Sequence, residues 1–423
     1  MIERKKDLQK LIAWRDEPII KVVTGIRRCG KSTLLRLYQN YLKETGVGAD
    51  QILAVNFEEL ENESLQDYKT LYTYLTERVC RDKMTYIFLD EIQKVDGFEK
   101  AVDSLYVKEN VDIYITGSNS WLLSGELATL LSGRYVEIRI LPLSFAEFYQ
   151  SQGGGDKDRL FAEYLECGSF PYIAAMDRSR EKTDMYLEGI YNTVIVKDIE
   201  ERQSRKEKDP NKRKITDIVL LKNISRFLAD SVGSPISVKR IADYITSSGR
   251  KVSQNTVDDY IEALVQAYIF YRAERYDVEG KQLLKQNGKL YIADLGLRRY
   301  LLPKSGHDFG HSLENVIYLE LLRRGYEVTI GKVAGNEVDF VAKKEGIVEY
   351  YQTTASMTEQ TTFEREITPL RKIKDNYPKK ILTLDRWTPG NYEGIEVLNA
   401  VDWLLNDGNN PGQDFQDTAD QRQ

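Results

Sequence analysis

The chain has 423 residues, 41% hydrophobic and 30% charged, with a formal net charge of −6; this is length enough for about two to four domains. The acidic balance excludes a uniformly basic nucleic-acid binder, though not a local basic face. Three scattered cysteines and two histidines argue against a disulfide framework or a structural zinc site, and no apolar run approaches the ~20 residues of a membrane span. The charged start MIERKKD leads into no signal-peptide core, so the expectation is a cytoplasmic protein with no membrane partner.

Residues 19–33, IIKVVTGIRRCGKST, open with a β-branched apolar run and continue into LLRLYQNYL, with Leu34, Leu35, Tyr38 and Leu42 at helical spacing. Strand, glycine loop and helix form the context of a phosphate-binding loop. Gly25, Ile26, Arg27, Arg28, Cys29, Gly30, Lys31, Ser32 and Thr33 are its candidate residues. Glycines let backbone N–H groups wrap ATP phosphates, Lys31 adds a cation, Ser32 reaches Mg²⁺, and the helix N-terminus favours the anion.

Next, TYIFL at 85–89 is a buried-strand pattern ending in Asp90-Glu91. Following a phosphate loop, Asp90 is the candidate holder of Mg²⁺ and Glu91 the residue that polarises the attacking water. A third strand, VDIYIT at 111–116, runs into Gly117-Ser118-Asn119-Ser120. Asn119 fits either a sensor between water and γ-phosphate or, with Ser118, the cap of a turn. Arg134, in LSGRYVEIRI, fits either an arginine that reaches a neighbour's γ-phosphate in a homo-oligomer or a solvated surface residue.

Together TGIRRCGKSTLL, FLDEIQ, ITGSNSWLLS, LSGRYVEIRILPLSFAEF and CGSFPY resemble a large family of bacterial and archaeal ATPases, in order along most of residues 1–403. The resemblance implies an α/β architecture in which an AAA-like P-loop domain (1–150) precedes a helical lid and linker (151–230), a winged helix (231–302) and a restriction-endonuclease-like domain (303–405). It implies Lys31 and Ser32 for phosphate and magnesium, Asp90 and Glu91 for metal and water, and Asn119 for sensing. Arg27 and Arg28 match the family's paired arginines. Cys29 occupies a variable position.

Helical periodicity continues through DRLFAEYLECG and TDMYLEGIYNTVIVKDIEERQ, and SRKEKDPNKRK at 204–214 reads as a solvated linker. Ile236, Ile241, Tyr244 and Ile245 then mark a short helix. Thr256 is the expected cap of a second, with Val257, Tyr260, Ile261, Leu264, Val265 and Tyr268 as its apolar stripe. A strand at 269–273 and a return through KLYIAD complete the winged-helix order. Such a module can contact DNA, with Lys239, Arg240, Arg250 and Lys251 toward phosphate, or dock protein, because the second helix faces outward with Asp258, Asp259 and Glu262.

Beyond residue 303, LENVIYLELLRRG is amphipathic and YEVTIGKV, EVDFVAK and GIVEYYQTT are strand-like. Metal-dependent nucleases of this arrangement gather a helix acid, a strand Asp, and an acid-x-lysine pair whose i, i+2 spacing shares one strand face. Glu314 and Asp339 fit the first two. The pair fails in either register: Glu349-x-Tyr351 lacks the lysine, and Tyr350-x-Gln352, the register the family pattern favours, lacks the acid. The expectation is a nuclease fold with its chemistry lost, followed by a disordered tail at 406–423. Overall the sequence reads as an ATPase acting on a nucleic-acid or protein partner, with a nucleotide-switched scaffold or an ATP-regulated nuclease as the alternatives.

Overall fold

A computed structural model describes residues 2–117, 131, 133–193, 217–302, 309–387 and 389–406. Asn119, the 204–214 run and the expected tail after residue 406 lie outside the described residues. The chain divides into two units, one comprising Met1–Pro142, Phe170–Phe227 and Val238–Tyr271, the other Leu143–Ser169, Leu228–Ser237 and Arg272–Gln423. Among the described residues no helix is long and apolar enough to cross a membrane.

The first unit is built on five parallel strands, β1 (Ile20–Thr24), β2 (Ile52–Asn56), β3 (Thr85–Asp90), β4 (Val111–Gly117) and β5 (Tyr135–Arg139), in the order β2-β3-β4-β1-β5. β1 and β3 are buried along their whole length. Their near-continuous Val/Ile/Leu/Phe character follows from that, since a parallel sheet is covered on both faces. On one face α3 (Tyr68–Thr76) and α4 (Phe98–Tyr106) pack Leu71, Leu75, Phe98, Val102 and Leu105 against Ile20, Val22, Ile87, Leu89, Ile113 and Ile115. The opposite side chains of β3 and β4 include Phe88 and Tyr114, which meet Tyr38 of α2 (Lys31–Glu44), and Lys21 of β1 lies over the Tyr114 ring. There Lys21, fully buried, donates to Asp112 Oδ1 at 2.5 Å, and Tyr114 and the Asp16 N–H donate to the other oxygen, so the buried charge is matched.

This unit also holds the predicted winged-helix pair, α10 (Val238–Ser247) and α11 (Gln254–Gln266), numbered after α5 (Phe145–Ser151), α6 (Lys157–Cys167), α7 (Pro171–Ala175), α8 (Arg180–Thr193) and α9 (Ile218–Asp230). One local expectation is corrected. Ser253, not Thr256, caps α11: its hydroxyl accepts the Thr256 N–H at 3.1 Å, placing Thr256 inside the first turn. Val257, Tyr260, Ile261 and Leu264 are buried, as the stripe required, while Tyr244 of α10 is exposed.

The second unit centres on an eight-stranded mixed sheet. It contains β6 (Phe270–Asp277), β7 (Gln282–Ile292), β8 (Glu327–Val333), β9 (Asn336–Lys344), β10 (Ile347–Thr354), β11 (Lys379–Thr383), β12 (Gly390–Tyr392) and β13 (Ile395–Asn399), in the order β12-β13-β11-β10-β9-β8-β6-β7. β8, β9 and β10 form an antiparallel meander, and β11 joins β10 in parallel after the crossover helix α14 (Gln360–Arg371). Val338, Val341, Tyr350, Ile367, Leu370 and Ile381 pack between that helix and the sheet. Helices α12 (Leu295–Leu301), α13 (Phe309–Arg323) and α15 (Ala400–Leu405) complete the unit. α13 is buried through most of its length, including Glu314, Asn315 and Glu320.

Cys167, Gly168 and Ser169 belong to this unit's packing. Asp294 Oδ2 accepts both the N–H and hydroxyl of Ser169, and Asp294 Oδ1 accepts the Leu297 N–H that starts α12. A side chain at Gly168 would place its Cβ 2.4 Å from Asp294 Oδ1, so only glycine fits there.

Candidate functional site

The strand order of the first unit places the ends of β1, β3 and β4 side by side, and loop residues 25–33 gather there with Asp90 and Glu91. Gly25 leaves β1 at φ +148°, where a Cβ would come within 2.2 Å of the Ile140 carbonyl oxygen; the loop can turn this closely only with glycine. Gly30, in the left-handed region, starts α2. Lys31 is buried and its ammonium donates to the Gly25 carbonyl at 3.1 Å and the Ile26 carbonyl at 3.5 Å. Ile26 and Cys29 are buried beneath the loop, and burial pushes the Cys29 thiol pKa up, which disfavours the reactive thiolate. Arg27 pairs with Glu58 at 3.3 Å, Arg28 is exposed at φ 68°, and Thr33 is half-buried in the first turn of α2.

At the end of β3, Asp90 is raised above its ordinary carboxylate pKa by burial, an effect opposed by hydrogen bonds from Thr116 and Ser32. Those two bonds bring the predicted pair Ser32 and Asp90 together. Thr116, the last polar side chain of β4, links both acids: its hydroxyl donates to Asp90 Oδ1 at 2.5 Å and accepts the Glu91 N–H at 2.9 Å. Glu91 sits at φ 55° and accepts from Gln93 Nε2 at 2.5 Å. A non-glycine residue in that region costs on the order of 1 kcal/mol, and the bond from its N–H to Thr116 helps hold it there. The donor set is oxygen only, hydroxyl plus carboxylate beside a loop of backbone N–H groups, which suits Mg²⁺ shared with a phosphate chain.

Sequence reasoning missed Thr116 because it looked beyond the strand, to Asn119. It also missed Arg4. That buried guanidinium donates to the Cys29 carbonyl at 3.1 Å and the Leu141 carbonyl at 2.7 Å while pairing with Asp7 at 2.7 Å. Burial would raise the Asp7 pKa, but Arg4 and Lys10 override it and hold it low. Arg134 lies elsewhere: its carbonyl accepts the Ile20 N–H at the opposite end of β1, roughly 13 Å of strand from Thr24. Its guanidinium pairs with Asp103 and lies over the Tyr106 ring at 5.5 Å.

The second unit contains a separate cluster around Glu314 and Asp339. Asp339 Oδ2 accepts the N–H and hydroxyl of Thr353, both at 2.8 Å, and its own N–H donates to Gln352 Oε1 at 3.2 Å. Gln352 Nε2 donates to Glu366 of α14 at 2.9 Å. Tyr350 does not join the cluster; it packs in the α14 core and donates to Asp375 at 2.6 Å. Glu349 is engaged with Tyr351 and Lys380. Burial, then Glu314, raise the Asp339 pKa to about 7. Lys289 and Tyr291 of β7, unforeseen in the sequence, both donate to Glu314 Oε1, at 2.9 and 2.7 Å. Their i, i+2 spacing was visible, but the helix carboxylate they meet was not.

A glycine loop after β1, an Asp-Glu pair after β3 and this strand order define a P-loop AAA-like ATPase fold. Residues 17–149 match the AAA domain family, and residues 158–308 match a domain of unknown function. An uncharacterized protein of Haemophilus influenzae is 40% identical over 410 residues, covering 96% of this chain and 99% of its own length. Another, from Methanocaldococcus jannaschii, is 32% identical over 409 residues, covering 90% of this chain and 85% of its own. The chain belongs to the family of AAA-domain proteins these two represent. Among solved structures it is similar to a Walker-type ATPase of Pyrococcus abyssi, at 15% identity and TM-score 0.47, over 71% of this chain and 96% of that one. Cdc6p of Pyrobaculum aerophilum is similar at 12% identity and TM-score 0.30, over 71% of this chain and 93% of that one.

Proposed function

We propose that the chain binds Mg-ATP at the β1–α2 loop and hydrolyses it, coupling the cycle to a macromolecular partner. The observation that carries this reading is the hydrogen-bonded series Ser32–Asp90–Thr116–Glu91 beside Lys31. Lys31 exchanges carbonyl partners for phosphate oxygens, Ser32 and Asp90 hold the magnesium side, and Glu91, fixed by Thr116, orients a water and accepts its proton. Magnesium, when bound with ATP, neutralises phosphate charge. Asn119 is assigned sensing and Arg134 a trans-acting role toward a neighbouring copy, which its distance from its own loop supports. Lys31→Ala should abolish ATP binding, whereas Glu91→Gln should keep binding and stop turnover. Turnover by Glu91→Gln at the wild-type rate would remove that assignment.

The helix pair α10–α11 is read as a winged-helix recognition element and the second unit as a restriction-endonuclease-like fold that does not cut. Asp258, Asp259 and Glu262 are exposed on α11, and Arg250 is paired with Asp217, which favours a protein partner at this helix over a phosphate backbone. ATP turnover measured with and without single- and double-stranded DNA separates the two, since a DNA-coupled enzyme accelerates and a protein-coupled one does not.

A further inference from the structure

We infer that the carboxylate cluster of the second unit carries its cation within the chain, the Lys289 ammonium standing where a divalent metal stands in sites built from such acids. This rests on reading the cluster as non-cleaving, and adds what occupies it.

Lys289 Nζ lies 2.9 Å from Glu314 Oε1 and 2.8 Å from Glu337 Oε1, with only 4% of its side chain exposed. An ammonium has three protons to give, and two are spent on acids from different elements, α13 and β9. Tyr291 donates to the same Glu314 oxygen. The other oxygen, Oε2, faces Gly233, where even a Cβ would be 3.1 Å away, and His311 Cδ2 closes the same wall. Asp339 Oδ2 already accepts two bonds from Thr353. Glu337 takes a second cation, Arg275, at 2.5 Å.

Divalent ions bind oxygen at about 2.0–2.6 Å and need several such ligands. Here the oxygens converge on an ammonium, which a dication would have to displace or face as a like charge. Among the described residues no three His, Cys, Asp or Glu side chains are arranged to hold a metal. Burial alone would lower the Lys289 pKa; Glu314, Asp339 and Glu337 override it and keep the ammonium protonated. A lysine that activates water would instead need an amine directed at solvent, with the acids left for the metal.

The test is Mn²⁺ binding to the full-length, nucleotide-free protein, read from the electron paramagnetic resonance signal of free Mn²⁺. Wild type and Asp339→Asn should give superimposable isotherms. Lys289→Met should gain one site, at least about tenfold tighter than any wild-type binding, and Lys289→Met/Asp339→Asn should lose it. Wild-type binding that disappears with Asp339→Asn would overturn the inference, as would a folded Lys289→Met that gains nothing. If Lys289→Met melts below the assay temperature, millimolar Mn²⁺ should raise its melting midpoint by several degrees and leave wild type unmoved; no shift overturns the inference equally. The underlying non-cleaving reading fails separately, by metal-dependent DNA cleavage in wild type that Asp339→Ala removes.

Discussion

Both units bring a buried lysine near buried acids, yet the two lysines are held in opposite ways. Lys31 bonds to the backbone carbonyls of Gly25 and Ile26, and the described bonds of Asp90 come from the hydroxyls of Ser32 and Thr116. Lys289 bonds directly to Glu314 and Glu337. A lysine resting on neutral carbonyls can leave them for phosphate at less cost than one paired with a buried charge, because an unpaired neutral acceptor is penalised less than an unpaired ion. Lys289 cannot leave in the same way, since the buried Glu314 carboxylate would be stranded. The first arrangement lets a lysine exchange neutral partners; in the second the charge is already matched.

The sharpest way to break that contrast is to remove each lysine in turn. Lys289→Met should cost about 3–5 kcal/mol, the usual result of breaking a buried ion pair from one side. Lys31→Met should change stability by no more than about 1 kcal/mol while ATP binding is lost. Denaturant titration of both variants checks this, and equal destabilisation would erase the distinction.

Arg134→Ala should lower turnover by roughly 10²-fold or more, with ATP affinity nearly unchanged, and wild-type turnover should rise faster than linearly with protein concentration. Strictly linear rates from a monomer by light scattering would remove the trans role. Thr116→Val should lower turnover by about tenfold to a hundredfold, since Glu91 would lose the bond that holds its backbone and Asp90 a donor. Its ATP dissociation constant should stay within about threefold, and an equal loss in binding would make Thr116 a packing residue.

The elements of the proposed phosphate site could be read in the sequence because they are local. The loop, Lys31 and Ser32 fall within nine consecutive residues, and Asp90-Glu91 ends a strand whose apolar run is unmistakable. What was not legible came from contacts between segments distant in the sequence. Thr116 matters only because β4 lies beside β3, and Arg4 only because the loop's Cys29 carbonyl returns to it across 25 positions. The second unit shows the same limit more strongly. Glu314 and Asp339 could be picked from pattern, and the absence of acid-x-lysine could be read. The residue that answers their charge comes from β7, at the far edge of the sheet order, in a segment whose pattern fits a wing equally well.

A further expected effect concerns pH. Asp339 has a folded pKa of about 7 against an ordinary value of 3.8, so the folded state keeps a proton the unfolded chain has released. That contribution is complete below about pH 4 and is lost as pH rises through 7, so stability should fall between about pH 4 and 7, by about 4 kcal/mol at most, and level off above that. Asp339→Asn should flatten this part of the profile; an unchanged profile would assign the pH dependence to other groups.

The most direct measurement is a single reaction in which purified full-length protein, ATP, Mg²⁺ and supercoiled plasmid are incubated together, with phosphate release and plasmid form followed in parallel. Phosphate release that Glu91→Gln abolishes is expected, while the plasmid stays supercoiled throughout. Plasmid nicking that is lost on Asp339→Ala, or phosphate release that survives Glu91→Gln, would contradict this expectation.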